Sequence, residues 1–275
     1  MTLKLYCDLM SQPSRALYIL LKSIKCNFEP KFVNLRQAEH YSEEYSAINR
    51  FQKVPVIDHN GFILTESIAI LKYLSRENVI PESLYPKESK AQARVEEFLE
   101  WQHAGLRLHC AMYFRVKYLN PVMFGKPADP TSLAGYKSRM EAALSEFNDK
   151  WLGRGTDFIY GNTPTVADLV AACELEQPRM SGYDPSVNYK NINVWWKKVR
   201  EHFNPVYDEG HVIVNKIIKK NTQDGKRSDG ADGRNWRRRW IPSSTKEFER
   251  VAVLLGIRVL EIYVIGEGKE GLDLR

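Results

Sequence analysis

The sequence predicts a chain in two parts: a mixed α/β domain built on a four-stranded sheet, then an all-α domain. Three observations predict it. Short alternating segments and helical periods follow one another in the order β-α-β-α-β-β-α over residues 1–77. An Asn60-Gly61 pair stands between two apolar runs, the strongest short-range hairpin signal. From Lys90 onward, every long apolar period is helical.

The elements follow in order. Leu3-Lys4-Leu5-Tyr6-Cys7 alternates as a strand, and Met10-Ser11-Gln12-Pro13 breaks it. Ser14 is placed to cap a helix whose apolar positions are Leu17, Leu20, Leu21 and Ile24. Residues 28–35 read as a second strand, and Ser42 opens a short capped helix. Residues 54–58 and 62–65 form the hairpin, and a helix carrying Ile68, Leu71 and Leu74 closes the domain. A parallel pair with its crossover helix, then an antiparallel hairpin and a helix, is a thioredoxin-like arrangement. Residues 78–89 hold two prolines and no periodicity, which marks a linker.

Residues 90–221 form the helical domain. The spacing predicts an uninterrupted helix over 90–118, a proline-rich loop over 120–130 and a second long helix over 132–151. Thr165 and Asp168 have capping-box spacing at the start of the next helix, a cap without a catalytic role. Residues 192–203 and 206–218 supply two more helices.

Composition narrows the function. Of 275 residues 43% are hydrophobic and 27% charged, with a net charge of +6, ordinary for a globular protein. No dense basic stripe argues for nucleic acid, and no apolar run has the ~18–20 residues of a membrane helix. Cys7, Cys26, Cys110 and Cys173 are widely spaced without a CxxC, which fits free thiols, and no metal site is expected. A cytoplasmic protein is the expectation. Residues 222–275 read as an atypical, largely disordered tail. Within it 222–235 are polar and Gly-rich, Trp236-Arg237-Arg238-Arg239-Trp240 is a short basic run read as solvated, and 246–265 are apolar at mixed spacing.

One stretch is a weak pointer to a ligand, and taken alone an ordinary hairpin followed by a helix is the plainer reading of it. Lys53-Val54-Pro55 leads into the hairpin, where proline leaves the ladder and frees neighbouring backbone. Glu66-Ser67 lies at a helix start, where open N–H groups favour an anion.

LYCDLMSQPSRA, FQKVPV, LTESIAILKYL, ARVEEFLEWQH and PTVADLVA, spread over residues 1–220, resemble the cytosolic glutathione transferases, most of all their theta class. The resemblance implies a homodimer with one glutathione site per subunit, a cis Val54-Pro55 bond, and glutathione as co-substrate for small electrophiles such as alkyl halides and epoxides. It also implies peroxidase activity on organic hydroperoxides. Moving a thiol pKa from ~8.5 to ~6.5 takes about 2.7 kcal/mol, and one hydrogen bond to the thiolate supplies ~1.5–3 kcal/mol. Ser11 matches the theta serine that donates this bond. Tyr6 is the rival donor, Cys7 a rival only as a thiol-transfer nucleophile, and a plain turn or capping residue is the alternative role for Ser11.

By the same resemblance His40 and Lys53 meet the glycine carboxylate, and the Val54 backbone pairs with the cysteinyl unit. Glu66 and Ser67 hold the γ-glutamyl end. Arg107 matches an arginine near the thiolate, against the alternative of a solvated helix-surface arginine. Ala104 departs from relatives that make a polar contact across the dimer. Met10, Leu106, Cys110, Tyr113 and Phe114 are the expected electrophile pocket, although apolar stripes usually form core. The runner-up function is a non-catalytic scaffold or ligand-binding module of the same fold. A thiol oxidoreductase is disfavoured because Cys7 lacks a CxxC partner.

Overall fold

The structure, a computed structural model, describes residues 2–228, with the backbone alone for 223–228. The chain divides into two compact units, 1–231 and 232–275, and the first holds every described element. The basic run at 236–240 and the apolar stretch 246–265 lie outside the described residues.

Four short strands make the sheet: β1 (Leu3–Cys7), β2 (Glu29–Phe32), β3 (Val56–His59) and β4 (Phe62–Thr65), in the order β2-β1-β3-β4. β1 pairs parallel to β2, and β3 pairs antiparallel to both β1 and β4. Alternation along β1 sorts its side chains onto two faces. Leu3, Leu5 and Cys7 join the main core with Leu17, Leu20 and Leu21 of α1 (Gln12–Ser23) and Leu71 and Leu74 of α3 (Ser67–Arg76). Tyr6 packs on the other face with Val33, Val56 and Tyr45 of α2 (Glu43–Ile48). Each fully buried Leu or Ile contributes about 1.5–3 kcal/mol, so this two-sided packing outweighs the shortness of the strands.

α1 starts earlier than expected. Its N-cap is Ser11, not Ser14, because Pro13 fits the first turn, where a missing N–H costs nothing. Ser14 is instead fully buried.

The helical half comprises α4 (Ser89–Gln102), α5 (Leu108–Phe114), α6 (Asn120–Phe124), α7 (Pro130–Glu146), α8 (Val166–Arg179), α9 (Pro185–Asn188), α10 (Lys190–Phe203), α11 (Val206–Gly210) and α12 (Val212–Ser228). The uninterrupted helix expected over 90–118 is broken. Gly105, at φ −90° and ψ −105°, leaves helical geometry inside a widened turn, His103–Arg107. A Cβ there would lie 3.0 Å from the Trp101 ring, so the bend depends on glycine. The loop expected over 120–130 contains a helix, since Pro121 sits at the start of α6 rather than inside it. The expected 206–218 helix divides at His211 into α11 and α12. α12 also runs through 222–228, which were expected to be disordered.

The halves meet through α1. Gly210 of α11 sits so close to the fully buried Ile19 that a Cβ would be 2.5 Å from its Cγ1. Within the helical half the anchor is Asp168, fully buried at the first turn of α8. Its Oδ2 accepts the Thr165 N–H at 2.8 Å, completing a capping box, and its Oδ1 accepts the Ile159 N–H at 2.9 Å and Trp195 Nε1 at 2.8 Å. Burial pushes this carboxyl up while these donors pull it down. Among the described residues no helix is long and apolar enough to cross a membrane, and no cluster of metal-type side chains is assembled.

Candidate functional site

The strand register gathers the expected contacts at one end of the sheet. Lys31, Tyr6, Val56 and Thr65 form a row across the four strands. Directly beyond that row lie the turn carrying Ser11 after β1, Lys53-Val54-Pro55 before β3, and Glu66-Ser67 after β4. His40 follows β2 on the same side, since β2 runs parallel to β1. Ser11, His40, residues 53–55 and residues 66–67, distant in sequence, thus converge because of topology alone.

Ser11 is half-buried at the α1 N-cap, yet its hydroxyl makes no capping hydrogen bond. An N-cap serine ordinarily accepts an N–H there, so the absence leaves this hydroxyl available to a ligand. The rivals are placed less well. Cys7 is fully buried and burial pushes its thiol up to about 12, which removes it as a thiolate at neutral pH. Tyr6 faces α2, on the sheet side opposite α1.

The Val54-Pro55 peptide is cis. Its approach is fixed by two bonds to the Lys53 carbonyl, from the Tyr45 hydroxyl and from Asn49 Nδ2, both at 2.7 Å. The Lys53 side chain is exposed. Among the described residues the Val54 backbone groups have no hydrogen-bond partner, which leaves an open strand edge. At α3 the N-cap Glu66 is held at φ 66°, ψ 109°, a region non-glycine residues rarely enter, at a cost of order 1–3 kcal/mol. No side chain caps this ten-residue helix, so its first N–H groups remain open beside Ser67.

His40 is half-buried, its ring centroid 3.9 Å from that of Tyr41, and its Nδ1 is buried without a partner. Burial lowers its pKa, and Asp8 partly offsets this. In the helical half, burial and then the Arg107 charge lower the His103 pKa, with Glu100 and Glu66 opposing them. Arg107 is not simply a solvated helix-surface residue. Its Nη1 lies 2.8 Å from Oε1 of Glu174, whose side chain is 1% exposed. Burial raises the Glu174 pKa, and the Arg107 and Arg15 charges pull it back.

The expected electrophile pocket separates. Leu106, Cys110 and Tyr113 are buried in the main core, and burial raises the Cys110 thiol well above its ordinary value. These three act as packing, as apolar stripes usually do. Met10 and Phe114 lie in a different cluster, with Met180, Val214, Tyr118 and Leu119. Sequence reasoning missed Asp8, Arg15, Glu174 and Gln177, all buried around the Ser11 turn. For Arg15, Glu174 and Gln177 the one signal was a charged or polar residue inside an otherwise apolar helix, α1 or α8, and Asp8, in the turn after β1, gave none.

A thioredoxin-like sheet with an unspent serine hydroxyl, a cis-proline edge and an uncapped helix start at one end, joined to an all-α half, is the two-domain architecture that the resemblance implies. The model of the glutathione S-transferase N-terminal domain matches residues 1–76, and that of the C-terminal domain matches residues 111–202. The chain is 38% identical over 215 residues to glutathione S-transferase theta-1 of Bos taurus, covering 78% of this chain and 89% of that protein. It is 36% identical to the Homo sapiens theta-1 enzyme over a similar span, 78% of this chain and 89% of that one. Among solved structures, the apo form of human glutathione-S-transferase T1-1 superposes with a TM-score of 0.79 at 31% identity, covering 93% of this chain and all of that one. A human theta-class glutathione transferase in complex with the glutathione conjugate of 1-menaphthyl sulfate gives 0.78 at 32% identity, covering 94% of this chain and 100% of that one. The chain belongs to the glutathione S-transferase family, in its theta class.

Proposed function

We infer that the protein binds glutathione at this end of the sheet, ionises its thiol and transfers it to small electrophiles. The observation that carries the reading is the convergence of three unspent features: the Ser11 hydroxyl, the Val54 backbone beside cis-Pro55, and the open N-terminus of α3. Ser11 donates to the sulfur and stabilises the thiolate. Val54 pairs with the cysteinyl backbone, and the Ser67 hydroxyl and N–H take the γ-glutamyl carboxylate while Glu66 meets the ammonium. Lys53 and His40 face the glycine carboxylate. Arg107, tied to Glu174, supplies a fixed positive charge near the thiolate.

The thiolate attacks a carbon bearing a halide, the C–S bond forms, the C–halide bond breaks and halide leaves. The proton released from the thiol goes to solvent. Opening of an epoxide follows the same course, with the alkoxide taking a proton from water; with an organic hydroperoxide the thiolate breaks the O–O bond, the alkoxide takes a proton and leaves as alcohol, and a second glutathione displaces water from the resulting sulfenic acid to give glutathione disulfide. Met10 and Phe114, with the partly buried Tyr118, form the apolar wall against which the electrophile lies. A non-catalytic scaffold would have no use for an unspent serine here, and that reading is not favoured. We further propose the division 1–77, 78–89 and 90–221, a homodimer, and a cytoplasmic site of action, which the four free cysteines suit. We propose no metal, nucleic-acid or membrane partner.

The experiment is turnover of a small alkyl halide with glutathione by the wild type and by Ser11→Ala. Turnover by the wild type, reduced at least tenfold in Ser11→Ala with glutathione affinity kept, supports the reading. A wild type that binds glutathione without turnover would sink the enzyme, and equal rates would sink the serine.

A further inference from the structure

Arg15 heads the fully buried side chains of the fold, at 0% exposure, one helical turn past Ser11 on α1. Its guanidinium is a fork whose two prongs go to different halves of the molecule. Nη1 donates to the carbonyls of Leu9 at 3.0 Å and Met10 at 3.1 Å. Nη2 donates to the Cys173 carbonyl at 2.9 Å and to Gln177 Oε1 at 2.8 Å, both on α8. The Gln177 amide returns a bond to the Met10 carbonyl at 3.3 Å. All four acceptors of the fork are neutral, so Arg15 is not one half of a direct ion pair. A buried charge is costly to keep, and packed apolar residues commonly stabilise as well, which points to a role in geometry.

The rest of the turn is equally fastened. The Met10 N–H donates to Asp8 Oδ1 at 2.8 Å, the Ser11 N–H to the Asp8 carbonyl at 2.9 Å, and the Ser11 carbonyl accepts the Arg15 N–H at 3.0 Å. From the Leu9 carbonyl to the Ser11 carbonyl, every backbone polar group is thus assigned to a protein partner. The Ser11 hydroxyl is the group left over. We propose that Arg15, braced by Gln177, is the positioning residue of the thiol site: it locks residues 9–11 to α8, so that the Ser11 hydroxyl points at the substrate sulfur instead of capping α1. This rests on Ser11 being the thiol donor.

The test is the pH midpoint of thiolate absorbance for glutathione bound to the full chain. It is measured in the wild type, Ser11→Ala, Arg15→Met, Arg15→Lys, Gln177→Met and the Ser11→Ala/Arg15→Met pair. Ser11→Ala and Arg15→Met each raise the midpoint by about one unit, a tenfold loss of thiolate at a pH below it. Gln177→Met raises it less, and Arg15→Lys rescues little because lysine lacks the planar fork. The paired variant shifts no further than Ser11→Ala alone, since Arg15 acts through the serine. Glutathione affinity stays within threefold.

An unchanged midpoint in folded Arg15→Met overturns the proposal, as does an additive shift in the paired variant. If Arg15→Met does not fold, an unchanged midpoint in Gln177→Met overturns it. A shift in Ser11→Ala without one in the Arg15 and Gln177 variants removes the positioning role alone. No shift in Ser11→Ala removes the serine assignment and this inference with it.

Discussion

A serine hydroxyl free in water does nothing to a thiol, so the value of Ser11 depends on what holds its oxygen in place and what charge surrounds it. The surrounding charge is largely compensated. Arg107 is about one-third exposed and bonded to a carboxylate that is not exposed at all. Its attraction for a nearby thiolate is therefore weaker than that of a free guanidinium. Arg107→Met should act mainly on stability. Breaking a buried pair costs about 3–5 kcal/mol when the remaining charge is stranded, and Glu174 relieves part of that by taking a proton, which its raised pKa already favours. A loss of about 2–3 kcal/mol in urea denaturation is expected, with a thiolate midpoint shift smaller than that of Ser11→Ala. A shift equal to the serine variant's would show that Arg107 carries as much of the ionisation as Ser11 does.

Among the elements, α8 does more than its sequence suggests. Its first turn carries Asp168, which joins the 153–161 turn, the α8 start and α10 through donors from Ile159, Thr165 and Trp195. Asp168→Asn turns one acceptor oxygen into a donor facing other donors, each unmet group costing about 1–3 kcal/mol. A loss of about 3–4 kcal/mol in urea denaturation is expected, and Trp195→Phe, which removes one donor, should cost roughly a third as much. The sequence marked this cap from its spacing alone but not its reach, because Ile159 and Trp195 are far from it in the chain. The four strands and their hairpin were readable for a similar reason: alternation and Asn60-Gly61 are local signals. What escaped was everything without a local signal. Gly105 has no side chain with which to break the apolar phase, so the bend between α4 and α5 read as one helix. Arg15, Glu174 and Gln177 carry no local signal of burial either, because polarity in a helix normally means surface, and here it means a buried bridge. At the site itself Lys53, Val54, Glu66 and Ser67 were legible as a stretch, while their meeting with Ser11 required the sheet order.

At the scale of the whole molecule, acid sensitivity and association both follow from what is buried and what is not. His211, between α11 and α12, is 1% exposed, and burial pushes its imidazole down to about 4. Glu176 draws it upward, while Arg15 and Arg179 push it further down. Above pH ~6.5 the ring is neutral in both states, and it contributes nothing to the pH dependence. Below ~6.5 the unfolded chain takes a proton that the folded one refuses, so stability falls by about 1.4 kcal/mol per pH unit until about 4. Urea midpoints should decline over that window, and His211→Asn should flatten the decline. The opposite end of the molecule bears on assembly. β4 pairs with β3 alone and forms the sheet edge, yet its Phe62 and Ile63 are 49% and 40% exposed, and Leu108 of α5 is 46% exposed. An apolar sheet edge is a liability unless covered, and a second copy of the chain is the cover that the homodimer reading supplies. The full chain should therefore sediment as a dimer, and Phe62→Glu with Ile63→Glu should sediment as a monomer at the same concentration. Ala104, exposed and without a polar group, has nothing to offer a neighbouring subunit's ligand. The monomeric variant should then keep its thiolate midpoint, because each site is complete within one chain. A midpoint that rises on dissociation would mean that the partner subunit supplies a contact after all, from some residue other than Ala104.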